Sequence, residues 1–166
     1  MKLTYDELRT LGAKIGNDVP FFIEGGTAIG SHFGEKIHKL PPLSDLSGWN
    51  EKYKIIVVPN LRKSTKDMYG KINLTTCGKN KEKTAKLVEA IEKFNTDDVI
   101  KNMSNDFENF AETGFTEIKD ALTKNGAEKV LLCGSGTAVF AISNNQFDLK
   151  ALSQALPHQH ILSLTQ

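Results

Sequence analysis

Lys129-Val130-Leu131-Leu132-Cys133-Gly134-Ser135-Gly136-Thr137-Ala138-Val139-Phe140-Ala141-Ile142-Ser143 is the stretch that decides the fold. Two apolar, partly β-branched runs flank a glycine turn, which reads as a hairpin with strands over 129–133 and 137–143. Downstream, Leu149, Leu152 and Leu156 recur at helical spacing across 147–156, and residues 160–164 read as one more strand. Upstream, 54–58 is an uninterrupted β-branched run, the clearest strand in the chain. Between it and the hairpin lie several helices. One opens at Ser64-x-x-Asp67 and runs to about residue 69. The next covers 79–94 with Leu87, Val88 and Ile91 inward. Another covers 97–103 behind a Thr96 cap, and two more cover 105–111 and 115–125, the last stopped by Gly126. From residue 53 the order is strand, helices, strand, strand, helix, strand. That is an α+β, ferredoxin-like split βαβ plan with extra helices in its first crossover, in which two helices cover one face of an antiparallel sheet.

The first 45 residues do not belong to this plan. Thr4-x-x-Glu7 is a capping-box pattern, followed by Leu8, Leu11 and Ile15 on one helical face, and it predicts a helix over 5–15 that ends at Gly16. Residues 19–23 and 27–29 flank a glycine-containing turn and predict a hairpin. Pro41-Pro42 and the polar stretch to Asn50 read as a linker. A segment of about 40 residues rarely buries enough surface to fold alone, so residues 1–45 are expected to dock on 53–166 or on something outside this sequence.

The 166 residues are 39% hydrophobic and 25% charged with a net charge of +1. This composition supports a core and leaves no basic excess for nucleic acid. Two cysteines make no disulfide framework, so a reducing compartment is expected. The longest apolar runs fall far short of the roughly 18 residues of a membrane span. The first ten residues carry Asp6 and Glu7 and no apolar signal region. These features predict a cytoplasmic protein with neither membrane nor nucleic-acid partners.

Two places can carry chemistry. Asp18 follows Gly16, which releases the chain from its helix, and precedes Val19-Pro20, where the residue before proline is pushed towards an extended conformation. A carboxylate held on such a helix-to-strand turn among apolar neighbours suits a general base, with partial burial raising its basicity. The same aspartate could equally do no more than satisfy backbone amides of the turn. Gly134-Ser135-Gly136 lets successive amides converge on an anion, with the Ser135 hydroxyl beside them, or is a plain hairpin turn. A strand follows it instead of a helix, so neither a Walker loop nor a dinucleotide fingerprint fits. His158 and His160 share a face of an extended segment with no nearby ligand to complete a metal set, and no metal site is assigned.

Taken together, these motifs resemble one family. Residues 11–22, Leu-Gly-Ala-Lys-Ile-Gly-Asn-Asp-Val-Pro-Phe-Phe, are similar to the L-x-x-x-x-G-[AS]-D-V-P-F-F segment of the 4-diphosphocytidyl-2-C-methyl-D-erythritol kinases. Those enzymes belong to the galactokinase, homoserine kinase, mevalonate kinase and phosphomevalonate kinase superfamily. Ala28-Ile29-Gly30 to Gly34-Glu35-Lys36, Val57-Val58-Pro59 with Ser64-Thr65 and Tyr69, and Asn105-Asp106-Phe107-Glu108 resemble further segments in the same order. Residues 133–140 look like the superfamily motif S-G-S-G-x-x-x-F. Asn17, His32 and Cys133 depart from the usual residues, and none of them replaces a charged catalytic group.

The resemblance implies that residues 1–45 are the tail of a kinase N-terminal domain carrying the Asp motif, and that 53–166 are its C-terminal ferredoxin-like domain. It implies ATP-dependent phosphorylation of the 2-hydroxyl of 4-diphosphocytidyl-2-C-methyl-D-erythritol in the non-mevalonate isoprenoid pathway. ATP and Mg2+ come with that activity. Asp18 is then the carboxylate that takes the hydroxyl proton. Thr65, Tyr69, Gly134, Ser135 and Gly136 bind substrate, with Tyr69 stacking on the cytosine. The family's near-N-terminal lysine motif and Gly/Ser-rich ATP loop have no counterpart in these residues. The chain alone is therefore expected to be inactive or nearly so, with a separate chain supplying the other half. The alternatives are a non-catalytic ferredoxin-like module that binds a small anion, and another kinase of the same superfamily.

Overall fold

The structure, a computed structural model, describes residues 2–60, 64–73, 75, 77–111 and 113–164. Its centre is β3 (Tyr53–Pro59), whose β-branched residues favour an extended, half-buried surface. A four-stranded sheet has the order β4-β5-β3-β6, with β4 (Lys129–Leu132), β5 (Val139–Ser143) and β6 (Gln159–Leu164). Every pairing is antiparallel, and the register sets Val57 opposite Val139 on one side and Ile161 on the other. The crossover from β3 to β4 holds α3 (Thr65–Gly70), α4 (Lys81–Glu92), α5 (Thr96–Asn102) and α6 (Thr113–Lys124). A single helix, α7 (Leu149–Ala155), joins β5 to β6. The fold is α+β, and its strand order is that of the split βαβ plan expected from the sequence.

Because side chains alternate along a strand, the sheet presents two faces. Ile55, Val57, Val130, Leu132, Val139 and Ala141 share one, and they pack with Met68 of α3, Ile118 and Leu122 of α6, and Leu152 of α7. Ile142 and Phe140 point the other way, into Leu46, Trp49, Ala90, Ile91, Val99 and Ile100. The sequence reading covered one face; in the structure the extra crossover helices α4 and α5 cover the second. The expected 41–50 linker is corrected as well. It contains a 3-10 helix at Leu43–Asp45, and its Leu46 and Trp49 are buried. The buried Thr96 is not a cap: its hydroxyl donates to Ser47 O at 2.6 Å and so pins this segment. Asn95 caps α5 instead, accepting from the Asp98 amide. The expected 105–111 helix is a 3-10 helix at Asp106–Phe110.

Towards the N-terminus, α1 (Tyr5–Ala13) begins with the capping box read from Thr4 and Glu7. The strand expected over 19–23 is instead a helix, α2 (Val19–Glu24). Pro20 is tolerated there because first-turn amides have no helical partner. Val19 and Ile23, one helical turn apart, both press on Gly12. A Cβ at Gly12 would come within 2.7 Å of Ile23 Cδ1 and 3.0 Å of Val19 Cγ1. The N-terminal hairpin lies one step later, with β1 (Ala28–Ser31) pairing with β2 (Lys36–Lys39). Glu24 ties these pieces together, accepting from Arg9 at 2.7 Å and Lys39 at 2.5 Å. Those cations, Lys39 first, hold its carboxyl below the usual range. Leu40 and Leu43 pack on the cluster beneath α4 and α5.

Candidate active site

The turn between β4 and β5 is closed by two backbone bonds, Cys133 N to Ala138 O at 2.8 Å and Gly136 N to Cys133 O at 2.9 Å. Gly134 and Gly136 have φ of 56° and 99°, a region that side-chain-bearing residues avoid. A Cβ at Gly134 would meet nothing within 4 Å, so backbone conformation and not crowding selects glycine there. Residues 134 and 136 are exposed, and the turn presents its rim to solvent.

Behind the turn the structure is tightly tied. The Asn105 side-chain amide donates to Leu132 O at 2.8 Å and Gly134 O at 2.7 Å. Glu108 Oε1 accepts from the Leu132 amide at 3.1 Å. Asp106 turns the opposite way and accepts from the Gly78 amide and from Asn80, each at 2.7 Å. The Gly78 amide in particular holds the Asp106 carboxyl below its ordinary range.

Beside the turn, α3 brings in two of the residues expected to bind substrate. Thr65 Oγ1 lies 3.5 Å from Ser135 Oγ, a long contact. Tyr69, 59% exposed, leans edge-to-face on Phe107 with ring centroids 5.1 Å apart. A cavity of about 130 Å³ opens beneath the loop. Ser135, Gly136 and Thr137 form its polar rim, and Met68, Phe115 and Ile118 its apolar floor. Thr65, Ser135 and Gly136 therefore meet at one end of the sheet, with Tyr69 one helical turn further along. Such a place can hold a flat ring and an anionic group side by side.

Asp18 stands elsewhere in the architecture. It occupies the N-cap position of α2 with φ −86° and ψ −15°, and its side chain makes no capping bond. The expected helix-to-strand turn is thus a helix-to-helix corner, and the expected partial burial is replaced by exposure. The tip of the β1–β2 hairpin rests against this corner: a Cβ on Gly34 would lie 3.4 Å from Asn17 O. Among the described residues no hydrogen bond or ion pair joins Asp18 to Thr65, Tyr69 or the glycine turn.

Burial pushes the Cys133 thiol up, which disfavours a thiolate. Among the described residues no group of three or more His, Cys, Asp or Glu stands together to hold a metal ion. No helix of the described residues is long and apolar enough to cross a membrane. Sequence reasoning singled out the Asn105–Glu108 tetrad but gave it no task. In the structure Asn105 and Glu108 both reach Leu132, while Asp106 holds Gly78 and Asn80.

Comparison with known proteins adds a family. Residues 87–161 match the family described as GHMP kinases C terminal. The 4-diphosphocytidyl-2-C-methyl-D-erythritol kinase of Clostridium perfringens (strain SM101 / Type A) is 36% identical over 137 residues, which is 81% of this chain and 45% of the relative. The protein of the same name from Clostridium botulinum (strain Alaska E43 / Type E3) is 31% identical over 164 residues, 97% of this chain and 56% of the relative. A solved 4-(cytidine 5'-diphospho)-2C-methyl-D-erythritol kinase superposes with a TM-score of 0.66 at 24% identity, covering 94% of this chain and 55% of that one. At that identity the likeness speaks for the fold alone. The chain spans about half the length of the curated relatives it matches.

Proposed function

We propose, from a chain whose residues 87–161 are a GHMP kinase C-terminal domain, that these 166 residues form the substrate-facing half of a 4-diphosphocytidyl-2-C-methyl-D-erythritol kinase. The observation that carries the reading is an apolar-floored cavity rimmed by Ser135 and Gly136, with the Thr65 hydroxyl 3.5 Å from that of Ser135 and an exposed Tyr69 one helical turn from Thr65. Tyr69 offers a flat face to cytosine, since base stacking on an aromatic ring suits any base. The amides of Gly134 and Ser135 and the Ser135 and Thr65 hydroxyls face the anionic part of the substrate. In the transfer, the 2-hydroxyl oxygen bonds to the γ-phosphorus of ATP as the bond to the β,γ-bridging oxygen breaks. The hydroxyl proton passes to the Asp18 carboxylate, and ADP leaves. Such a reaction gains chiefly from positioning and charge neutralisation.

Under this reading residues 1–45 are the tail of the first kinase domain and 53–166 the second. The lysine and the phosphate-cradling loop come from polypeptide outside these residues, and the enzyme works in the cytoplasm. The chain alone turns over slowly or not at all. The test mixes the purified chain with the N-terminal half of the Clostridium perfringens relative and follows phosphorylation of the cytidylyl substrate by ATP. Turnover should appear only in the mixture and disappear with Asp18→Asn, while cytidylyl-substrate binding changes little. Turnover that survives Asp18→Asn removes Asp18 from the proton step, and binding with no turnover in any mixture leaves a small-anion-binding module. A panel with homoserine and mevalonate separates the neighbouring kinases.

A further inference from the structure

The 3-10 turn that Asn105 caps has no assigned task, yet it touches Leu132 and Gly134 of the glycine hairpin and Tyr69 of α3. We infer that Asn105 is the positioning residue of the glycine turn, with Glu108 as its second anchor. The inference rests on the proposed kinase reading for its functional consequence, but not for its structural content.

Asn105 has one carbonyl oxygen and two amide hydrogens to place. Oδ1 accepts from the Phe107 amide at 3.0 Å, while Nδ2 reaches Leu132 O and Gly134 O. Turning the amide over would set its oxygen against two carbonyl oxygens and its NH2 against an N–H, so the network admits one orientation. Leu132, the last residue of β4, is then held at both ends: its amide by Glu108 and its carbonyl by Asn105. This amide lies on the outer edge of the sheet, because β4 pairs only with β5. A strand edge otherwise leaves such groups to water. Of the two glycines at positive φ, a Cβ at Gly134 would meet nothing within 4 Å and one at Gly136 would meet the Leu132 side chain at 3.6 Å, so Leu132 is the neighbour that bears on this turn.

The same turn sets the aromatic partner. Phe107, between the two anchors, supports the ring of Tyr69. One short segment therefore fixes the distance between the amides that face an anion and the ring that faces a base. A site preorganised in this way does not have to reorganise when charge develops on the substrate. Asn105 touches no reacting atom in this arrangement; it acts through the loop.

The test separates the donor function of Asn105 from its capping function. Serine caps a helical turn well, so Asn105→Ser keeps an acceptor for Phe107 N and removes both donations. Asn105→Asp also keeps the cap but sets a carboxylate oxygen against the two carbonyls. Amide hydrogen exchange on the chain itself should rise about tenfold or more at Cys133 and Gly136 in both variants, with β3 amides unchanged. Unchanged exchange at these two amides, or an equal rise throughout the sheet, overturns the inference. Should Asn105→Asp fail to fold, Asn105→Ser decides alone.

In the complemented kinase the same variants should lower kcat about tenfold or more with little change in KM for ATP. Faster exchange with unchanged kcat would mean that the turn is positioned by Asn105 but is not the active-site turn. That outcome refutes the functional half of this inference, and leaves its structural half and the kinase activity of the mixture standing.

Discussion

Replacing Ile142 by alanine tests whether the second layer of helices is part of the core or lies loosely on it. Ile142 is fully buried on β5, on the face that α4, α5 and the 43–49 segment cover. Its neighbours include Trp49, Val99 and Ile100, which are themselves buried, so the site has little freedom to collapse into the space left behind. Truncating a buried isoleucine to alanine costs about 2–5 kcal/mol, and sites that cannot relax lie in the upper half of that range. With a urea slope of about 2 kcal/mol per molar, the middle of the usual range, the midpoint should fall by roughly 2 M. Trp49 is the single tryptophan of the chain, and the Lys54 ammonium lies 5.3 Å from its ring centre, so its fluorescence reports on this layer directly. Far-UV circular dichroism reports on the whole fold. Both signals should move together in the wild type and in Ile142→Ala. A loss below about 1 kcal/mol, or Trp49 melting well before the circular dichroism signal, would refute a sheet with two load-sharing faces.

Acid should loosen the 77–80 loop through Asp106. Its carboxyl is held below the ordinary range, chiefly by the Gly78 amide, so the stabilisation is present above about pH 4 and is lost as pH falls through the lowered value. Asp106→Asn should therefore be less stable than wild type in urea melts at pH 7, with the gap closing towards pH 3; a gap constant with pH would count against that assignment. Ile15 and Phe22, 81% and 77% exposed, make the purified chain prone to associate with itself. Sedimentation velocity should show concentration-dependent association that Ile15→Ser with Phe22→Ser reduces, and a wild-type chain that stays monomeric at high concentration would contradict it.

The parts of the fold that were legible are those where local signals agree. The β-branched run of β3, the glycine turn between β4 and β5 and the Thr4 capping box each carry their instruction within a few residues. Residues 19–24 failed for the opposite reason. Five apolar residues in a row suit either a short strand or a short helix, and only the packing of Val19 and Ile23 on Gly12 decides. The burial of Leu46 and Trp49 was hidden in the same way. Their stretch is locally polar and turn-rich, and the helices that cover them lie about 45 residues further along the chain. At the site, the residue types at 65, 69 and 134–136 were readable as letters, but the anchors were not. Asn105 finds its acceptors 27 and 29 positions away in sequence, a pairing that no local pattern announces.

The exposure of Asp18 and the apolar surface around it are connected. A carboxylate in open water is a weak base for an alcohol, and its usefulness rises when water is excluded and the acceptor is fixed against its partner. Asp18 sits at the corner between α1 and α2, where Leu8 and Leu11 of α1, Ile15 of the corner itself and Phe22 of α2 are also presented to solvent. Under the proposed function, a polypeptide that brings the phosphate-binding loop must also cover this corner if proton transfer is to work. It would then bury the apolar side chains in the same step. Desolvation of the base and removal of the sticky surface become one event. Complementation should therefore restore turnover and abolish self-association at the same stoichiometry. Turnover regained while the chain still associates with itself through Ile15 and Phe22 would mean that the two features are unrelated.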